Sequence, residues 1–322
     1  TVSFDTLVLE TLLSLVKGLK VVITNEEHQM DFEQLAQLVI ENHIDMLQVT
    51  PSRMQLMLEN KSILSVLGRL KDIMIGGETF PTSLLEKLRE LIPTTRIFNM
   101  YGPTETTVWS TIKELYGDDY VTVGKPIANT QIYIVDNNQL QPIGVKGELC
   151  ISGDGLARGY LMRPELTKEK FVQNPFAYGK LMYRTGDIAR WLPNGEIELL
   201  GRIDNQVKIR GFRIELGEIE SRLLEHKSIK EAVVTVKGDA DCANKFLCAY
   251  IVSDEEINVQ QLRRHISERL PEYMVPSLFA RIKELPLTPN GKIDRKVLPD
   301  IINDTKAVEV HVPPENDIEK KL

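Results

Sequence analysis

The chain has 322 residues, 42% of them apolar and 26% charged, with a formal net charge of −7. Roughly two soluble globular domains are expected at this length, and the acidic balance argues against a general nucleic-acid binder, so any anionic ligand must be held by a local cluster. Three cysteines (Cys150, Cys242, Cys248) without Cys-x-x-Cys spacing indicate neither a disulfide framework nor a zinc site and fit a reducing cytoplasm, and no apolar run is long enough to span a bilayer.

From residue 1 to 100, helix-like and strand-like segments alternate. The patterns predict helices over 7–16, 32–42, 54–58 and 84–91, and strands over 19–24, 44–50, 73–75 and 96–100. Such alternation means βα units and a mostly parallel sheet, with ligands at the carboxyl ends of its strands. Two of those ends carry unusual loops. The first is Gly76-Gly77-Glu78, by itself more often a turn than a site. The second, Tyr101-Gly-Pro-Thr-Glu-Thr-Thr107, offers a ring, a tight Gly-Pro, three hydroxyls and one carboxylate. That inventory suits an anionic ligand with a metal ion, Glu105 supplying a hard oxygen for Mg²⁺. It also suits a Thr-rich turn leading into a strand over 107–112.

Between 120 and 200 the strands shorten, with turns at Asp136-Asn137-Asn138 and Pro193-Asn194-Gly195, which predicts a small antiparallel barrel or sheet on the parallel core. Inside it Asp187, in Tyr183-Arg-Thr-Gly-Asp187, could accept from ribose hydroxyls or simply pair with Arg184. Residues 201–217 carry Arg202, Lys208, Arg210 and Arg213 against Asp204 and Glu215, with a glycine at each end. They read either as a solvated hairpin edge or as a joint between two sequence textures. Residues 215–300 predict a compact α+β unit: helices over 218–224 and 259–270, strands over 231–236, Phe246–Val252 and Leu278–Ile282, then a Pro-stiffened turn that projects Lys292. Residues 301–322 read as a linker.

Six motifs in order are Asn99-Met-Tyr-Gly-Pro-Thr-Glu-Thr-Thr107, Gly147-Glu-Leu-Cys-Ile-Ser-Gly153, Tyr183-Arg-Thr-Gly-Asp187, residues 201–220, Leu270-Pro-Glu-Tyr-Met-Val-Pro276 and Asn290-Gly-Lys-Ile-Asp-Arg295. Together they resemble the core motifs of adenylation domains of non-ribosomal peptide synthetases, in the superfamily of acyl-CoA ligases and luciferases. The resemblance implies a large domain over 1–203 (sheet portion 1–115, β-barrel portion 116–203), a mobile α+β subdomain over 204–300 and a linker toward a carrier-protein domain. The family's phosphate loop, which lies upstream of Phe4-Asp5, does not occur in the sequence, so an incomplete large domain is expected, and a fragment inactive alone.

The implied activity is ATP·Mg²⁺-dependent conversion of an amino acid to its adenylate, followed by transfer to the phosphopantetheine thiol of a peptidyl carrier domain, beside condensation or other synthetase domains. By motif match Asn99 reaches the adenine amino group and Tyr101 its ring, with Leu199 as the opposite wall; Gly76 and Gly77 allow close approach. Thr104 donates to the α-phosphate, Glu105 binds Mg²⁺, Asp187 holds the ribose with Arg202 nearby, and Lys292 bridges carboxylate and phosphate. Asp204 is the hinge, and Lys208 belongs to the loop that faces the site in the second half-reaction. Asp5, unless it is merely a helix cap, pairs with the substrate ammonium. Thr6, Leu9, Gln48, Met74, Gly76, Met100, Val108 and Trp109 line the side-chain pocket, a set similar to the family's glycine-selecting pattern, with alanine next. An acyl- or aryl-CoA ligase, or a non-catalytic fragment that docks a carrier domain, are the competing expectations.

Overall fold

The computed structural model describes residues 4–115, 120–204, 206–238, 245–255, 258–286, 293–295 and 297–299. The chain divides into two compact units, Thr1–Asp204 and Asn205–Leu322.

The first unit begins with a wide π-helical segment, Val8–Leu13, that continues into Ser14–Val16. Its five-stranded sheet runs β1 (Met46–Val49), β2 (Asp72–Gly76), β3 (Arg96–Tyr101), β4 (Thr111–Glu114) and β5 (Lys125–Pro126), in that spatial order. The first three strands are parallel and the last two antiparallel. Helix Phe32–Glu41 precedes β1, helices Pro51–Glu59 and Lys61–Leu67 connect β1 to β2, and Thr82–Leu91 connects β2 to β3. Asp31, Thr50 and Asn60 each accept from backbone amides of the following first turn, and Pro51 needs no amide partner there. Met54, Ile63, Leu67, Ile73, Ile75, Leu84 and Leu88 close the core between helices and sheet.

Two expectations fail here. No strand forms over 19–24: Leu19 and Ile23 are exposed, and among the described residues no strand pairs with that segment. The strand expected from 107 starts only at Thr111, because Thr107 and Val108 hold left-handed backbone (φ 64° and 66°) that a strand cannot contain. The helix Lys61–Leu67 was not foreseen, although Asn60 is its cap.

The second sheet of this unit is built from β6 (Thr130–Asp136), β7 (Gln139–Leu140), β8 (Gly147–Gly153), β9 (Phe171–Gln173), β10 (Leu181–Trp191) and β11 (Ile197–Arg202). The order is β11-β10-β8-β6-β7, all antiparallel, with β9 pairing β10. The ladder between β10 and β8 slips between Arg184 and Ile188, around Gly186 with φ 74°. Buried Glu148 fastens this bulge, accepting from the Gly186 amide (3.1 Å) and the Arg184 guanidinium (2.5 Å). A bulge re-aims the next side chain, and here that side chain is Asp187.

The second unit opens with a hairpin, β12 (Val207–Ile209) and β13 (Phe212–Ile214), turned by Arg210 (φ 52°) and Gly211 (φ 83°). Two positive φ values in a two-residue turn suit the twist of the flanking strands. The sheet β14 (Glu231–Lys237), β15 (Phe246–Val252) and β16 (Leu278–Ile282) packs on helices Leu216–Leu224 and Val259–Ser267 through Ile219, Leu223, Val234, Ala249, Leu262 and Ile266. The second helix stops at Ser267, three residues short of the expected end. Cys242, the turn bearing Lys292 and the expected linker 301–322 lie outside the described residues.

Candidate functional site

Strand β3 ends in Tyr101, after which Gly102 and Pro103 turn the chain into a one-turn 3-10 helix, Thr104–Thr106. Only glycine fits at 102, since a Cβ there would lie 2.5 Å from the Val108 carbonyl oxygen. Thr104 is exposed on this turn and Glu105 is buried. Two β-branched residues in left-handed backbone, Thr107 and Val108, store strain that the surroundings must hold. Thr107 Oγ1 donates to the Gly155 carbonyl at 2.6 Å, and the Ala157 amide donates to the Glu105 carbonyl at 2.9 Å. Tyr160 Oη donates to Glu105 Oε1 at 2.6 Å and lies 3.3 Å from Tyr183 Oη. Burial and the bond to Glu105 push the Tyr160 phenol above its ordinary value, so it stays a donor at neutral pH.

The bulge on β10 sets Asp187 against the end of β3. Tyr101 Oη donates to Asp187 Oδ2 at 2.6 Å, and Arg202 Nη1 lies 2.7 Å from Asp187 Oδ1. Arg202 also forks onto Asp204 (2.6 and 2.8 Å) and donates to the Thr185 carbonyl at 3.0 Å. The Asp187 partner is therefore Arg202, while Arg184 pairs with Glu148. Burial, then the neighbouring Asp187 charge, raises the Tyr101 phenol well above its ordinary value. The Tyr101 ring shares one apolar cluster with half-buried Leu199. Asn99, two residues before it, is buried and donates its amide to the Thr122 carbonyl at 2.8 Å.

A second cluster gathers Met100, Val108 and Trp109 with Leu9, Met74 and Phe98. Five of these are residues expected to line the side-chain pocket; Phe98 was not foreseen, though its alternation with Met100 on β3 puts both on one face. Gly76 sits directly beneath the indole: a Cβ there would come 2.5 Å from Trp109 Cη2 and 2.6 Å from the Met100 carbonyl oxygen. The indole amine donates to Gln48 Oε1 at 3.1 Å, and Gln48 Nε2 donates to Glu10 Oε1 at 2.9 Å. Gly77 (φ 89°) follows, and the loop is tied down by Glu78, whose Oε2 accepts from the amide and hydroxyl of Ser52 at the start of helix Pro51–Glu59. Negative charge is favourable at that helix end.

At the head of the π-helical segment, Thr6 is half-buried and Asp5 keeps Oδ2 buried without a hydrogen-bond partner. An orphaned carboxylate oxygen is poorly solvated and strongly favours a cation. In the second unit Lys208 lies on β12 opposite Arg213. Lys292 falls outside the described residues. Sequence reading placed Glu78 and Thr185 within their motifs without giving them a role, and missed Tyr160, Ala157 and Glu10. Tyr160 lies 55 residues from its partner Glu105, and Glu78 lies 26 from Ser52, and only the fold brings such pairs together. Among the described residues no group of three or more His, Cys, Asp or Glu side chains could hold a metal ion by itself, and no helix is long and apolar enough to cross a membrane.

Residues 1–161 match the model of the family described as AMP-binding enzyme, and residues 218–292 that of the AMP-binding enzyme C-terminal domain. Tyrocidine synthase 3 of Brevibacillus parabrevis is 45% identical over 100% of this chain and 5% of its own length. Bacitracin synthase 3 of Bacillus licheniformis is 47% identical over 99% of the chain, again 5% of its own length. The chain thus spans about a twentieth of these relatives. Among solved structures, PA1221, described as a protein containing adenylation and PCP domains, is similar with a TM-score of 0.78 at 28% identity over 90% of this chain and 58% of that one. A four-domain non-ribosomal peptide synthetase, AB3403, solved with AMP and glycine, is 41% identical with a TM-score of 0.59 over 93% of this chain and 22% of that one.

Proposed function

Because the chain belongs to the AMP-binding enzyme family, we propose that it acts within a non-ribosomal peptide synthetase as an amino-acid adenylating ligase. Its substrate is a small amino acid, glycine first and alanine next, and its product passes to the phosphopantetheine thiol of a peptidyl carrier domain. The observation that supports the substrate reading is the close packing of the Trp109 indole on Gly76, where even a Cβ on Gly76 would come within 2.5 Å of the ring. A packed pocket rejects added methylenes, although one methylene is worth only about 1–3 kcal/mol of discrimination, so alanine remains second. The relative solved with AMP and glycine supports the same choice.

Adenylation joins two anions, a carboxylate and an α-phosphate, so the protein contributes alignment and opposite charge. Asp5 receives the α-ammonium of the substrate, the cation its orphaned oxygen calls for. Thr104 donates to the α-phosphate from its exposed place on the 3-10 turn. Asp187 accepts from the ribose hydroxyls, and Arg202 holds its carboxylate in place. Tyr101 and Leu199 flank the adenine, with Asn99 near its amino group and Gly77 allowing close approach. Mg²⁺ fits Glu105: a single buried carboxylate is the usual protein share of a site completed by phosphate oxygens and water. Held there, it would supply neutralisation of phosphate charge. Lys292 bridges the carboxylate and phosphate, Asp204 is the hinge between the half-reactions, and Lys208 serves the second.

Amino-acid-dependent ATP–pyrophosphate exchange tests this assignment. Removing one partner of a buried charge pair weakens it by about 3–5 kcal/mol, so Asp5→Ala should collapse exchange with glycine. An Asp5→Ala protein that exchanges at the parent rate refutes the ammonium site.

A further inference from the structure

Residues 153–160 form a strap laid across the turn that carries Glu105. Gly155 is pressed on it so closely that a Cβ would meet the Thr106 carbonyl oxygen at 2.7 Å. The strap is stitched at three points: Thr107 Oγ1 to the Gly155 carbonyl, the Ala157 amide to the Glu105 carbonyl, and Tyr160 Oη to Glu105 Oε1. Its far end is anchored in turn. Gly159 (φ 135°) would clash with Thr167 Cγ2 at 2.4 Å if it had a Cβ, and the Tyr160 amide donates to Thr167 Oγ1 at 2.9 Å. The Tyr160 ring is wedged against Phe171, 5.7 Å between centroids and edge-on. A phenol thus held by packing on one side and backbone on the other keeps its hydroxyl on Glu105 at 2.6 Å, the shorter of its two contacts, the other being Tyr183 Oη at 3.3 Å.

We propose that Tyr160 is a positioning residue for the metal: its hydroxyl fixes the rotamer of the Glu105 carboxylate, while the strap holds the strained turn beneath it. The inference rests on the reading of Glu105 as the Mg²⁺ ligand. A carboxylate swings about its terminal torsions at little expense, and a ligand free to swing binds a hard octahedral ion poorly, because Mg²⁺ tolerates little departure from its geometry. A hydrogen bond from behind removes that freedom, as partners of metal ligands do generally. Tyr160 touches no reacting atom in this scheme. It acts through Glu105.

The test is Mn²⁺ binding to the full-length protein with a non-hydrolysable ATP analogue, followed by the electron paramagnetic resonance signal of the free ion. Loss of a hydrogen-bond partner of a metal ligand typically weakens binding about 10-fold or more, and Tyr160→Phe, which keeps the ring packing, should show that loss. Half-saturating Mg²⁺ in the exchange reaction should rise by the same factor. Thr167→Val, which removes the acceptor of the Tyr160 amide without touching the metal region, should move Mn²⁺ affinity in the same direction, and it decides the matter if Tyr160→Phe does not fold. Tyr160→Phe in a Glu105→Gln background should add nothing further. Mn²⁺ affinity within about twofold of the parent in a folded Tyr160→Phe, where a tenfold loss is expected, or a full additional loss in the Glu105→Gln background, overturns the proposal. Glu105→Gln alone separates the two layers: if it leaves Mn²⁺ binding unchanged, the metal reading itself has failed.

Discussion

Gly76 and Trp109 pack so closely that one missing methyl sets the proposed binding volume. A Cβ at position 76 would lie 2.5 Å from the indole, so Gly76→Ala must displace either Trp109 or the β3 backbone at Met100. Overpacking of this kind costs about 1–3 kcal/mol of stability, so the variant should melt lower while remaining folded and should lose glycine-dependent exchange, as a melting curve and exchange kinetics would show. Tyr101 gives a second test at this scale. Its folded-state phenol is raised by burial and by Asp187, so the folded protein holds that proton more tightly than the unfolded chain. The sign follows from linkage: the stability it contributes is whole below about pH 10 and is lost as the pH rises beyond it. Above about pH 10, where the unfolded phenol ionises, the dependence of melting temperature on pH should therefore differ between Tyr101→Phe and the parent, the parent alone carrying this proton linkage. Equal slopes would contradict the assignment.

At the scale of elements, strands and loops carried different amounts of legible information. Strands β2 and β3 were readable to within a residue or so because buried parallel strands are short apolar runs closed by glycine. The segment 19–24 has the same β-branched look yet forms no strand, since pairing needs a neighbouring edge and sequence pattern cannot supply one. Within the site, residues carried by the motifs at 99–109 and 183–187 were legible as a chemical inventory. The resemblance put Arg202 near Asp187, but the residues alone offered Arg184, the nearer cation in sequence, and the fork of Arg202 onto Asp204 was not legible, because the β10 bulge that re-aims Asp187 is a product of the fold. The strap at 153–160 was invisible for a similar reason: Tyr160 looks like any tyrosine until the fold sets it on Glu105. Asp204 is the last residue of the first unit and is clamped by Arg202. If Asp204 is the hinge, Asp204→Pro should separate the half-reactions, leaving pyrophosphate exchange and thiol loading changed by different factors when both are measured. Equal or unchanged rates for both would refute the hinge.

Considered whole, the molecule places its chemistry unevenly. The first unit holds the apolar cluster around Trp109, the orphaned Asp5 oxygen, Glu105 and Asp187, and has its own cores. The second unit is built around a separate core and bears Lys208 on its opening hairpin. With a net charge of −7 there is no general basic field, so in the proposed reading nucleotide binding falls to local features, namely Arg202, Thr104 and a metal at Glu105. Since the chain spans about a twentieth of the synthetases it resembles, carrier domain and neighbouring domains are partners within a much longer assembly in this reading. The most direct measurement of its central claim is ATP–pyrophosphate exchange by the full-length protein with each of the proteinogenic amino acids in turn. The account predicts the highest exchange with glycine, a lower rate with alanine and little with larger side chains. Exchange fastest with a large or aromatic amino acid, or none with any small one, would contradict it.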